Sequence, residues 1–186
     1  MTLFVAWTPY QVLNILNFVL NNVEDTKNQS DIYIYHGFRK SKEISNKLKE
    51  SNIFNNVYDI YPLSVKRKPV SFLYSFLRLL FPKQAIKKYI KPPIKENQHY
   101  DKMVLSGALT FAVILYERFR PDSIIFIEDG VGSYYGDIRI EGLSNVYKLF
   151  NKVFRIGPYS YNVDKIYLYR PELCDCTITD KYCQLP

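Results

Sequence analysis

The chain has 186 residues, 25 Lys plus Arg against 18 Asp plus Glu, and a formal net charge of +7. Apolar residues make up 47% of it and aromatics 16%, which is enough core for one domain of ordinary size, so disorder is not the default. The positive balance points to acidic partners: nucleic acid, anionic lipid or a phosphorylated substrate.

Leu3 to Trp7 reads as a first strand. The start Met1-Thr2-Leu3-Phe4-Val5 carries no basic leader region. Thr8-Pro9-Tyr10-Gln11 opens a helix: Thr8 caps it, Pro9 fits the first helical position, and Gln11 completes a Thr-x-x-Gln capping box. Val12, Leu13, Ile15, Leu16, Val19 and Leu20 give that helix a wide apolar face. The polar stretch 21–30 ends it. Asp31 to His36 is a second strand, and Ser41 to Glu50 a polar helix with Ile44 and Leu48 four apart. Asn56 to Tyr61 is a third strand.

The segment 65–95 interrupts this alternation. It holds nine basic residues, among them Lys66, Arg67, Lys68, Arg78, Lys83, Lys87 and Lys88, and no acidic one. Phe72, Leu73, Tyr74, Phe76, Leu77 and Phe81 lie between them. Three uses fit such a segment: a core helix with solvated lysines, contact with an anionic membrane surface, or nucleic-acid binding. No RRM, KH or helix-turn-helix signature supports the last, so no nucleic-acid partner is expected.

Lys102 to Leu105 is a fourth strand, closed by Ser106-Gly107. Leu109 to Phe119 is an apolar helix that Pro121 stops. Ile124 to Ile127 is a buried strand, Leu143 to Val153 a further helix, and Lys165 to Tyr169 a last short strand. Strands alternating with helices argue for an α/β fold, with a Rossmann-like parallel sheet flanked by helices. No GxGxxG follows the first strand, which argues against a dinucleotide cofactor. No run of about 18 apolar residues is present, so no membrane span is expected. Cys174, Cys176 and Cys183 crowd into the end of the chain, in a tail over 174–186 expected to be irregular. An odd count without a secretory signal fits free thiols in a reducing cytoplasm. Neither His36 nor His99 lies near them in sequence, so no metal site is expected.

Ile124-Ile125-Phe126-Ile127-Glu128-Asp129-Gly130-Val131-Gly132-Ser133-Tyr134 carries the most chemistry. An apolar strand ends in two adjacent carboxylates, and glycines let the chain turn at its carboxyl end. That edge of an open α/β sheet is where ligands bind. A carboxylate there can sit beside a substrate hydroxyl, as a general base must. Two adjacent acids interact in their titration, and they alternate sides while the chain stays extended. Thr8, Pro9, Tyr10 and Gln11 place helix N–H groups at the same edge. Ser106 and Gly107 end a strand there too, where a plain turn is an equal reading.

Two of these segments resemble a known family. Ala6-Trp7-Thr8-Pro9-Tyr10-Gln11-Val12-Leu13-Asn14 is similar to the N-terminal signature of bacterial sialyltransferase-type glycosyltransferases of family 52. Glu128-Asp129-Gly130-Val131-Gly132-Ser133-Tyr134 resembles the acidic-acidic-glycine motif of that family and of related sialyl- and polysialyltransferases. The resemblance spans most of residues 1–173. It implies the N-terminal, acceptor-side domain of a GT-B enzyme. Such enzymes transfer sialic acid from CMP-sialic acid to a sugar hydroxyl of a capsule polysaccharide or lipooligosaccharide, with inversion and without a metal or other cofactor. Asp129 is then the catalytic base and Glu128 the group that orients or tunes it. Thr8, Pro9, Tyr10, Gln11, Ser106, Gly107, Gly130, Ser133 and Tyr134 are the acceptor-binding candidates.

The family's donor half carries a His-Pro motif, and this sequence has none: His36 precedes Gly37 and His99 precedes Tyr100. The expectation is a chain that lacks the donor-binding half, is inactive alone, and works with that half or in a homo-oligomer. Its expected place is cytoplasmic, peripheral on the inner face of the plasma membrane. The alternative is a non-catalytic carbohydrate-binding or interaction domain derived from such an enzyme.

Overall fold

The computed structural model describes residues 1–26, 29–61, 82–95, 97–106, 110–130, 133–134, 163–174 and 181–186. Among them the strands are β1 (Thr2–Ala6), β2 (Ser30–Tyr35), β3 (Asn56–Ile60), β4 (Ile90–Lys91), β5 (Lys102–Leu105), β6 (Ser123–Ile127), β7 (Lys165–Leu168) and β8 (Tyr182–Gln184). The helices are α1 (Pro9–Leu20), α2 (Ser41–Ser51), α3 (Pro82–Tyr89) and α4 (Thr110–Phe119). The helix expected over 143–153 lies outside the described residues, as do Lys66, Arg67, Lys68, Arg78, Gly107 and the Lys83 side chain.

The strands form one eight-stranded sheet in the order β4-β3-β2-β1-β5-β6-β7-β8. Every pairing is parallel except β3 with β4. From β3 through β7 the parallel strands follow the doubly wound order compatible with a Rossmann-like fold. The chain starts at β1, builds outward to one side, then returns to β5 and builds to the other. The carboxyl ends of β1 and β5 therefore flank the switch point of the topology.

Strand side chains alternate between two apolar layers. Leu3, Val5, Met103, Leu105, Ile124 and Phe126 face one layer, with Phe111, Ile114 and Leu115 of α4 and Ile86 of α3. Phe4, Ala6, Val104, Ile125 and Ile127 face the other, with Val12, Ile15, Phe18 and Val19 of α1 and Leu48 of α2. This is the period of two expected of strands buried on both faces.

Three sequence expectations change here. Leu13 and Leu20 of α1 are 63% and 59% exposed, whereas Gln11 and Asn14 are fully buried. At 3.6 residues per turn the buried stripe runs through 11, 14, 15 and 18, and 13 and 20 share the opposite side. Thr8 caps α1 through Oγ, which accepts from Gln11 N (3.2 Å). The return bond, however, runs from Trp7 N to Gln11 Oε1 (2.8 Å), one residue earlier than in a capping box. Finally, the tail over 174–186 is not wholly irregular. Tyr182–Gln184 adds β8 beside β7, with Leu185 buried against the α1 layer. Cys183 is a free thiol, and Cys176 lies outside the described residues.

Candidate functional site

Glu128 follows β6 directly, and its N–H continues the ladder to Tyr167 O (2.9 Å). The residue is 6% exposed. Its carboxylate is held from three directions. Tyr10 OH donates to Oε1 (3.0 Å), Tyr169 N donates to Oε2 (3.0 Å), and Tyr134 OH donates to Oε2 in a short contact. A carboxylate offers about four lone-pair sites, so most of its accepting capacity is used. Among the described residues no Lys, Arg or His forms an ion pair with it.

The surrounding groups lock this arrangement. Asn14 Nδ2 donates to Glu128 O (2.7 Å), and Tyr169 OH donates to Asn14 Oδ1 (2.9 Å). Tyr10 and Asn14 are one helical turn apart, so a single face of α1 reaches over the sheet edge to β6. Arg170 N donates to Tyr134 OH (3.1 Å). Burial raises the Tyr134 phenol to about 12, helped by its bond to Glu128. Burial also raises Tyr10, and Glu128 adds to the effect while Asn14 opposes it. Both phenols are thus O–H donors at neutral pH.

Asp129 is half-buried. Its N–H donates to Ser133 Oγ (2.8 Å), and Ser133 N donates to Gly130 O (2.8 Å). Gly130 has φ +89°, a region that favours glycine. Ser133 is 3% exposed, and its hydroxyl closes the turn after β6. The turn thereby holds two neighbouring acids in different settings: Glu128 tied into the protein and Asp129 beside it, partly open to solvent.

The α1 start offers fewer free donors than the sequence suggested. Pro9 has no N–H, Gln11 N is taken by Thr8 Oγ, and Val12 N by Thr8 O (3.3 Å). Ser106, past the end of β5, is fully buried. Its Oγ and Gln11 Nε2 are buried side-chain atoms with no hydrogen-bond partner among the described residues.

Sequence reasoning missed Asn14 and Tyr169, because apolar periodicity gives no weight to a polar side chain in a buried stripe. It also missed a polar cluster at the carboxyl ends of β2 and β3. Asp59 Oδ1 meets His36 Nε2 (2.8 Å) and accepts from Ser45 Oγ (2.5 Å), while Lys49 Nζ donates to Oδ2 (2.6 Å). Ser41 Oγ lies 3.1 Å from His36 Nδ1. Burial alone would raise the Asp59 carboxyl, but these partners outweigh it and hold it low. At the opposite edge His99, Asp101 and Asp122 bring potential metal-ligating atoms within 4.8 Å of one another. All three are exposed, and the N-terminal ammonium pairs with Asp101.

No family model matches the chain, and no curated protein matches it. Among the described residues no helix is long and apolar enough to cross a membrane.

Proposed function

We propose that the chain is the acceptor-side domain of a sialyltransferase-like, inverting glycosyltransferase. The observation that carries this reading is the acid pair at the carboxyl end of β6, with Glu128 anchored by Tyr10, Tyr134 and Tyr169 N–H. An acid fixed at this edge of a parallel sheet stands where ligands bind.

In the proposed reaction the acceptor hydroxyl oxygen forms a bond to the anomeric carbon of sialic acid. The bond from that carbon to the phosphate of CMP breaks, CMP leaves, and the hydroxyl proton passes to the Asp129 carboxylate. Most of the accepting capacity of Glu128 is taken by Tyr10, Tyr134 and the Tyr169 N–H, and it acts as a positioning residue for the turn that carries Asp129, the orienting side of the role that the resemblance implies. Residues 1–186 contain no His-Pro, so the chain itself is proposed to bind the acceptor glycan and not the donor nucleotide.

Saturation-transfer NMR tests this with galactosides and with CMP-sialic acid. Binding of galactosides without CMP-sialic acid supports the acceptor-side assignment. Firm CMP binding contradicts it, and binding of neither removes the carbohydrate reading altogether. A non-catalytic carbohydrate-binding domain is the second reading, favoured by the missing His-Pro. It predicts that galactoside affinity is indifferent to Asp129.

An anionic membrane surface is a proposed partner, on the strength of the +7 charge and the exposed Lys87 and Lys88. Flotation with anionic but not neutral liposomes is the expected result. Equal flotation with both contradicts electrostatic attachment.

A further inference from the structure

We propose that His99, Asp101 and Asp122 form a surface site for a divalent transition-metal ion of the zinc type, at the amino ends of β5 and β6. The site stands at the opposite edge of the sheet from the acid pair after β6 and needs nothing of the glycosyltransferase reading.

The sheet brings the three residues together. Lys102 of β5 pairs with Ser123 of β6, so Asp101 and Asp122 each stand one residue before a paired position. Neighbouring strands run about 4.8 Å apart, which sets the spacing of the two acids. The backbone there is tied down: Asp101 N donates to Met1 O (2.9 Å), and Ser123 N donates to Asp101 O (3.0 Å). Tyr100 is fully buried, edge-on to Phe119 at 4.7 Å, and its hydroxyl donates to Asp31 Oδ2 (2.6 Å). With Tyr100 turned inward, His99 and Asp101 on either side of it both face outward. Pro121 is buried, and its ring fixes the backbone on the approach to Asp122.

The geometry fits one ion. His99 Nε2 lies 3.3 Å from Asp101 Oδ1. Zinc bonds of about 2.0–2.2 Å place tetrahedral ligand atoms about 3.4 Å apart, so this pair already has the separation that two ligands of one ion need. Ligand atoms of all three residues lie within 4.8 Å of one another. The residues are exposed, and rotation of their side chains closes the remaining gap. Three protein ligands leave a fourth position to water.

Charge points the same way. Two carboxylates meet here, and among the described residues no Lys, Arg or His forms an ion pair with Asp122. Asp101 already attracts a cation: the Met1 ammonium pairs with Oδ2, which leaves Oδ1 on the His99 side. A divalent ion offsets both carboxylates at once. The imidazole selects among such ions, because magnesium and calcium take oxygen ligands whereas imidazole suits zinc.

Calorimetric titration of the full 186-residue chain with zinc chloride tests this, beside the variants His99→Gln and Asp122→Asn. Both side chains are exposed, so both variants keep the fold. Zinc should bind the wild type, and each substitution should weaken that binding roughly tenfold or more. Zinc at about a hundredfold over its Kd should raise the wild-type melting temperature by roughly 5–10 °C, and magnesium should not. Absence of zinc binding by the wild type overturns the proposal. So does binding that both variants keep within about twofold, which would put the zinc elsewhere, for example at the Cys183 thiol. Weakening in one variant alone overturns the three-ligand set, and equal stabilisation by magnesium overturns the choice of ion. The acceptor-side reading is untouched by any of these results.

Discussion

Replacing Glu128 by Ala removes the acceptor for three donors at once. Hydrogen bonds to a charged group contribute about 1.5–3 kcal/mol each, but the three here are not equally exposed. Tyr10 is 40% exposed, and its hydroxyl regains water at little cost. Tyr134 and the Tyr169 N–H are half-buried and recover less. Removing the carboxylate also relieves its own desolvation. The expected net loss is about 2–4 kcal/mol. At roughly 2–4 °C per kcal/mol for a chain of this size, the melting temperature should fall by about 5–15 °C. Glu128→Gln keeps one carbonyl oxygen and should lose about half as much. Tyr10→Phe should lose under about 1 kcal/mol. Urea unfolding followed by circular dichroism measures all three. The order Ala, then Gln, then the Tyr10 variant, is the signature of an anchored carboxylate. A Glu128→Ala protein within about 1 kcal/mol of wild type would refute the claim that this side chain holds the turn.

Three other outcomes follow from the polar clusters and the core. Burial would raise the Glu24 carboxyl, but donation from Lys165, Tyr167 and Lys102 overcomes it and holds it at about 2, below its ordinary 4.5. A depressed carboxyl stabilises the fold above its unfolded value and loses that as pH falls. The stability gap between wild type and Glu24→Gln should be about 1–2 kcal/mol at pH 7, after screening at the partly exposed lysines, and close between about pH 5 and 2. A gap independent of pH in urea titrations would count against it. Asp59→Ala leaves His36, Ser45 and Lys49 without their shared partner and should cost about 3 kcal/mol; a change under about 1 kcal/mol by the same assay would mark the cluster as incidental. Phe18 is fully buried, with Tyr167 edge-on at 5.0 Å, so Phe18→Ala should cost about 3–5 kcal/mol in chemical denaturation. A loss below about 2 kcal/mol would mean the pocket collapses around the gap.

The parallel core of the sheet was legible because β1, β2, β3, β5, β6 and β7 each carry a short apolar run next to a turn or helix signal. Thr8 and Pro9 likewise announced the start of α1. The two outer strands were not. Ile90–Lys91 has two residues and Tyr182–Gln184 three, and segments that short pair because a neighbouring edge is available rather than through a pattern of their own. The different surroundings of the two adjacent acids were not legible, because the reach of Tyr10 and Asn14 across β5 is what ties Glu128 into the fold. Those two contacts join residues more than a hundred positions apart, and no local signal encodes them.

Asp129→Asn offers the most direct trial of the proposed acid. Asn keeps the size of the side chain and leaves the Asp129 N–H bond to Ser133 in place. Methyl β-galactoside affinity should fall roughly fivefold, with the melting temperature unchanged, because the acceptor hydroxyl loses a charged partner. An affinity equal to that of wild type would mean that no sugar hydroxyl meets this carboxylate, and Asp129 would have no part in catalysis.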